Sequence, residues 1–159
     1  MSERAKNLAQ RLQAFTDEVV DVVQGCSETD WRKVCKEEDW TVAVTARHIG
    51  AGHFQAVGLA KMIVGGERLP EMSMQQLVDM ANEHARQHSG CTKKETLGVL
   101  LQAGATVVGY VAGLSDAELD RTAHMALLGG SVSTQRFIEA VILESGGRHL
   151  ASMKAAVAA

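Results

Sequence analysis

The chain has 159 residues, 46% of them hydrophobic and 22% charged, with a formal net charge of −3, within the range of an ordinary globular domain. Its basic residues are scattered, which excludes a basic stripe for nucleic acid or anionic lipid, so neither partner is assigned. A chain of this length buries about 70% of the surface it exposes when unfolded, so a metal would serve function and not folding.

Cys26, Cys35 and Cys91 are odd in number and lack CxxC spacing, which predicts a reduced, cytoplasmic compartment. The opening MSERAKNLAQRL carries charge from its third residue and has no apolar signal core. No apolar run approaches the ~20 residues of a membrane span, so no membrane is expected. A single proline and 4% aromatic residues favour helix over sheet.

Ala5, Leu8, Leu12, Phe15, Val19, Val22 and Val23 recur at helical steps and predict a first helix with one buried stripe. Gly25 and Ser27 end it. Ser27 with Asp30 suggests a short turn carrying Trp31, before an irregular crossing to Trp40, with both tryptophans plugging the bundle end. A central second helix runs from Val42 to Val64, apolar almost all round, and GGERLPEM then forms a loop. Capping boxes at Ser73 with Gln76, Thr92 with Glu95 and Ser115 with Glu118 mark three further starts. The Ser89-Gly90 break splits or bends the third long element, whose Leu97, Leu100, Leu101, Val108 and Val111 face inward. A short helix near Ala117 to Arg121 leads to LLGGSVS, a tight turn or small hairpin, and a last helix covers Thr134 to Ala155. Residues 1–159 are therefore read as one all-α domain, a four-helix bundle with short extra helices in its connections.

His48 shares a stripe with Val44, Ala51, Gly52, Ala56 and Leu59, and His149 lies on the inner stripe of the last helix with Ile138, Val141, Ile142, Ser145 and Met153. Two inner imidazoles on separate helices can converge on a metal, or can be core histidines, each with its own partner. His84 and His88 form an i, i+4 pair that presents two imidazoles on one face, although His88 beside Ser89-Gly90 can simply complement a helix end. His53 points about 140° away from His48 and serves packing or an interface. His124 sits in a loop. Cys91 precedes a helix start and Cys26 ends a helix, where the dipole would raise its thiol pKa. No nucleophile elbow, P-loop, dinucleotide fingerprint or HExxH occurs.

DWTVAVTARHIGAGHF, with a tryptophan eight residues before His48 in an apolar helix, and RHLASM near the C-terminus resemble the DinB-like family, which includes the mycothiol-dependent maleylpyruvate isomerases. LVDMANEHA and LSDAELDR also match, so the resemblance covers nearly the whole chain. It implies a DinB-like bundle in which His48 and His149 bind a divalent metal, zinc or nickel, used with a low-molecular-weight thiol in isomerase or transferase chemistry. The third ligand that the resemblance implies stands four residues before His149, where this chain has Ser145, a poor ligand for either metal. Glu144 lies about 100° off that face and is expected to pair with Arg148. Gly146 and Gly147 allow the helix to distort or to approach a neighbour closely. His84 or His88 can complete the site.

Two functions follow. One is a metal-dependent enzyme acting on a small molecule. The other is a non-catalytic small-molecule pocket or dimeric scaffold whose metal site has decayed. A second apolar stripe of Ala46, Ile49, His53, Val57 and Ala60 exceeds what one core requires and predicts a homodimer.

Overall fold

A hydroxyl side chain starts every long helix by accepting an early backbone N–H that has no partner within the helix. The computed structural model, which describes residues 1–159, shows Ser2 doing so for α1 (Glu3–Gly25). Ser27 caps α2 (Glu28–Arg32) with a full capping box. The crossing to Trp40, expected to be irregular, is a small antiparallel ladder of β1 (Val34–Cys35) with β2 (Trp40–Thr41). Its backbone bonds supply partners that an irregular crossing would lack. Asp39 makes the turn at φ 59°, a left-handed conformation that aspartate tolerates.

Thr41 then caps α3 (Val42–Val64), the predicted central helix, residue for residue. The break at Ser89-Gly90 produces two helices: α4 (Met74–Gln87), capped by Ser73 with Gln76, and α5 (Lys93–Ala112), capped by Thr92 with Glu95. The third predicted box, Ser115 with Glu118, opens α6 (Asp116–Asp120). LLGGSVS belongs to a hairpin of β3 (Thr122–Met125) and β4 (Gly130–Ser133), turned by Gly129 and Gly130 at φ 88° and 123°. His124 is thus a strand residue opposite Ser131, not a loop residue.

The last helix starts on Ser133 and has three parts: α7 (Thr134–Ile138), a π-helical turn (Glu139–Glu144) and α8 (Ser145–Ala158). The wider i→i+5 turn falls just before the two glycines. A Cβ on Gly146 would lie 2.8 Å from Cζ of Phe15 on α1, so close approach of the helices is what this glycine serves.

Helices α1, α3, α5 and the last helix enclose a core that includes Leu8, Leu12, Ile63, Phe137 and Met153, all fully buried. Two expectations are overturned. The stripe Ala46, Ile49, His53, Val57 and Ala60 is buried within the bundle, because α3 packs against α4, α5, α7 and α8 and both of its apolar stripes meet neighbours. The stripe therefore gives no reason to expect a dimer. Leu101 is 57% exposed, since the inner face of α5 runs through Leu100, Ala103, Val107 and Val111. By length and composition alone α5 is apolar enough to cross a membrane, a test that bundle core helices also pass, and it packs against α1 and α3.

Candidate functional site

Four elements meet at one end of the bundle. His48 comes from the second turn of α3, His84 from α4, His149 from α8, and Glu38 and Trp40 from the β1–β2 ladder. The rings of His48 and His149 stand 4.9 Å apart centre to centre, those of His48 and His84 6.1 Å, and those of His84 and His88 4.3 Å. Trp40 meets His48 edge to face at 5.0 Å and stacks on His149 at 6.2 Å, its indole N–H donating to Asn82 Oδ1 at 3.1 Å. Neither His48 nor His149 is fully buried as expected: both are half-buried, because this end of the bundle is open.

Hydrogen bonding sets which ring nitrogens remain available. His149 Nδ1 lies 3.0 Å from Glu38 Oε1; an ionised carboxylate only accepts, so Nδ1 carries a proton and donates it, and Nε2 is the nitrogen left free of this contact. The Ser152 hydroxyl donates to the other Glu38 oxygen at 2.6 Å, which holds the carboxylate in place. His84 Nδ1 is buried with no hydrogen-bond partner. Burial, followed by the neighbouring charges of His149 and His84, pushes the His48 pKa down to about 4. Burial also lowers His84, helped by His88 and Arg47. Lowered in this way, His48 and His84 present neutral imidazole lone pairs, the form in which histidine binds metals.

The other sequence candidates lie elsewhere or lack donor chemistry. Glu144 is exposed and forms a two-bond ion pair with Arg136, at 2.6 and 3.1 Å, not the expected pair with Arg148. Ser145 is half-buried one turn before His149 and offers only a hydroxyl. His88 caps the C-terminal end of α4. His53 is a core residue, its Nδ1 2.7 Å from the Ile49 carbonyl oxygen and its ring stacked 6.0 Å from Phe15. The Cys26 thiol is pushed up chiefly by burial.

Sequence reasoning missed Glu38 and Ser152. Ser152 had a signal, three residues after His149 on the same helical face; Glu38 had none, since it reaches His149 across 111 positions.

The sequence matches the profile of the DinB superfamily over residues 11–153. The chain belongs to the DinB superfamily. Among solved structures, its DinB bundle is similar to YfiT from Bacillus subtilis, described as a probable metal-dependent hydrolase with an unusual four-helix bundle topology. The TM-score is 0.76 at 13% identity, covering 97% of this chain and 86% of YfiT, a likeness of fold. No curated protein matches the chain.

Proposed function

We propose that this DinB bundle is a metal-dependent enzyme acting on a small molecule, with His48, His84 and His149 as its ligand set. The observation that carries the reading is the orphaned, buried Nδ1 of His84, on a ring that neighbours His48, which in turn neighbours His149. A buried ring nitrogen without a partner is costly unless something satisfies it, and a divalent cation would do so. The donor set fits zinc or nickel in chemistry. With metal–nitrogen bonds near 2.0 Å, three tetrahedrally placed imidazoles stand roughly 5 Å apart centre to centre. His48 and His149 match that spacing at 4.9 Å, whereas His48 and His84, at 6.1 Å, stand too far apart. No group of three or more His, Cys, Asp or Glu side chains is already closed around a metal position. A short inward shift of His84 is therefore part of the proposal.

The bound metal would supply Lewis acidity, lowering the pKa of a water or low-molecular-weight thiol so that it attacks at neutral pH. This chain's own residues would prepare that step. Glu38 fixes the Nδ1 proton and the ring angle of His149, and Ser152 holds Glu38. Trp40 covers one side of the cluster and excludes water from it. The similarity to YfiT supports hydrolysis and the family resemblance supports thiol transfer or isomerisation. Both reactions need a nucleophile activated at the same position, water for the first and a thiol for the second.

Elemental analysis and zinc and nickel titration of untagged protein test the reading. About one metal per chain is expected, with affinity lost in His48→Ala and strongly reduced in His84→Ala. No binding at micromolar protein would overturn it and leave a small-molecule pocket or scaffold with a decayed site, the alternative that the unclosed ligand set favours. Unchanged binding in His84→Ala would remove His84 from the set.

A further inference from the structure

Arg47 directly precedes His48 on α3, and it is the one arginine in the chain that is not exposed. Arg4, Arg11, Arg86 and Arg136 each have a carboxylate partner, while Arg47 has none in any ion pair of the structure. It lines a groove of about 650 Å³ between α3 and the α4–α5 connection, together with Gln87, His88, Cys91, Glu95 and Gln102. Glu95, the groove's carboxylate, is drawn to the backbone N–H of Thr92 at 3.3 Å as part of its capping box. On its inner side the groove reaches the histidine cluster through His88, whose ring stands 4.3 Å from His84.

We propose that Arg47 anchors the carboxylate of a small organic monoacid in this groove, placing the rest of the molecule against the His84–His88 side of the cluster. The inference rests on the proposed function for the meaning of "substrate", but its binding test does not need a metal. A half-buried guanidinium forgoes part of its hydration, and the loss is made good when two parallel N–H groups meet a carboxylate. The planar fork of arginine suits that head group better than a point charge does. A groove lined by one guanidinium and one carboxylate, Glu95, favours a singly charged head over a doubly charged phosphate. The amides of Gln87 and Gln102 supply further donors and acceptors for a polar acid.

The test titrates metal-free protein by calorimetry with benzoate, pyruvate and propionate, with benzamide and propionamide as neutral counterparts, and with inorganic phosphate. At least one of the three acids binds at millimolar concentration or tighter, and the amides and phosphate bind more weakly. Arg47→Gln weakens the acid about tenfold or more, as expected for loss of a charged hydrogen-bond pair, and Arg47→Lys retains part of the affinity. Arg47→Gln still binds zinc, since none of the proposed ligands is removed. Absence of acid binding, equal binding in Arg47→Gln, or equal binding of the amides or phosphate overturns the proposal. If zinc fails to bind while acid binding still depends on Arg47, the metal reading falls and the anchor stands; the converse result sinks only the anchor.

Discussion

His149 donates its Nδ1–H to Glu38 Oε1 at 3.0 Å, joining the last helix to the β1–β2 turn across 111 positions. The Glu38 side chain is only 8% exposed, so its loss leaves the ring free to rotate and its Nδ1–H unpaired. Glu38→Ala should weaken zinc binding by about 10- to 100-fold with little change in helix content. Calorimetry paired with circular dichroism checks this; undiminished affinity would show that Glu38 does not orient a ligand.

The empty ligand position on α8 gives a second expectation. Ser145 lies one turn before His149 within the same α-helix, so Ser145→His would place an imidazole on that face. In a His84→Ala background it should recover much of the lost zinc affinity, and in His48→Ala it should not. Zinc titration of both double variants distinguishes these outcomes.

Metal-free protein should lose stability in mild acid. The folded state holds His48 at about 4 and also lowers His53, chiefly through burial in both cases. The unfolded chain takes up these protons near pH 6.5, so the stabilisation is fully present above 6.5 and is lost as pH falls towards about 4. His48 alone accounts for about 3 kcal/mol over that window, from a shift of about 2.5 pH units. Denaturant unfolding at stepped pH should show this slope, and His48→Gln should flatten it. A pH-independent midpoint in the wild type would contradict the burial argument.

Packing between α1 and α5 is testable at Gly104. A Cβ there would stand 2.5 Å from Cγ2 and 2.9 Å from Oγ1 of Thr16, a hydroxyl that is buried and unpartnered. Alanine's better helix propensity contributes about 0.5–1 kcal/mol, but overpacking costs about 1–3, so Gly104→Ala should destabilise. Thr16→Ala removes both close atoms, and the double variant should recover about 1 kcal/mol relative to the sum of the singles. Additive effects from urea unfolding would refute the contact.

Helix positions and starts were legible in the sequence because they depend on contacts within four residues. The span of α3, the stripe of α1 and the boxes at Ser73, Thr92 and Ser115 all arise from periodicity and from a hydroxyl next to its own N3 amide. Periodicity also named His48, His84 and His149 as residues worth weighing. Which face of a helix meets which neighbour was decided only by tertiary packing. Both stripes of α3 are apolar, and only the surrounding helices put Ile49 and His53 in the core and left His48 at an open end. The π turn, the reach of Glu38 to His149 and the approach of His84 to His48 likewise depend on how separate segments settle against one another. Those contacts join residues far apart in the chain, where local spacing carries no information about distance.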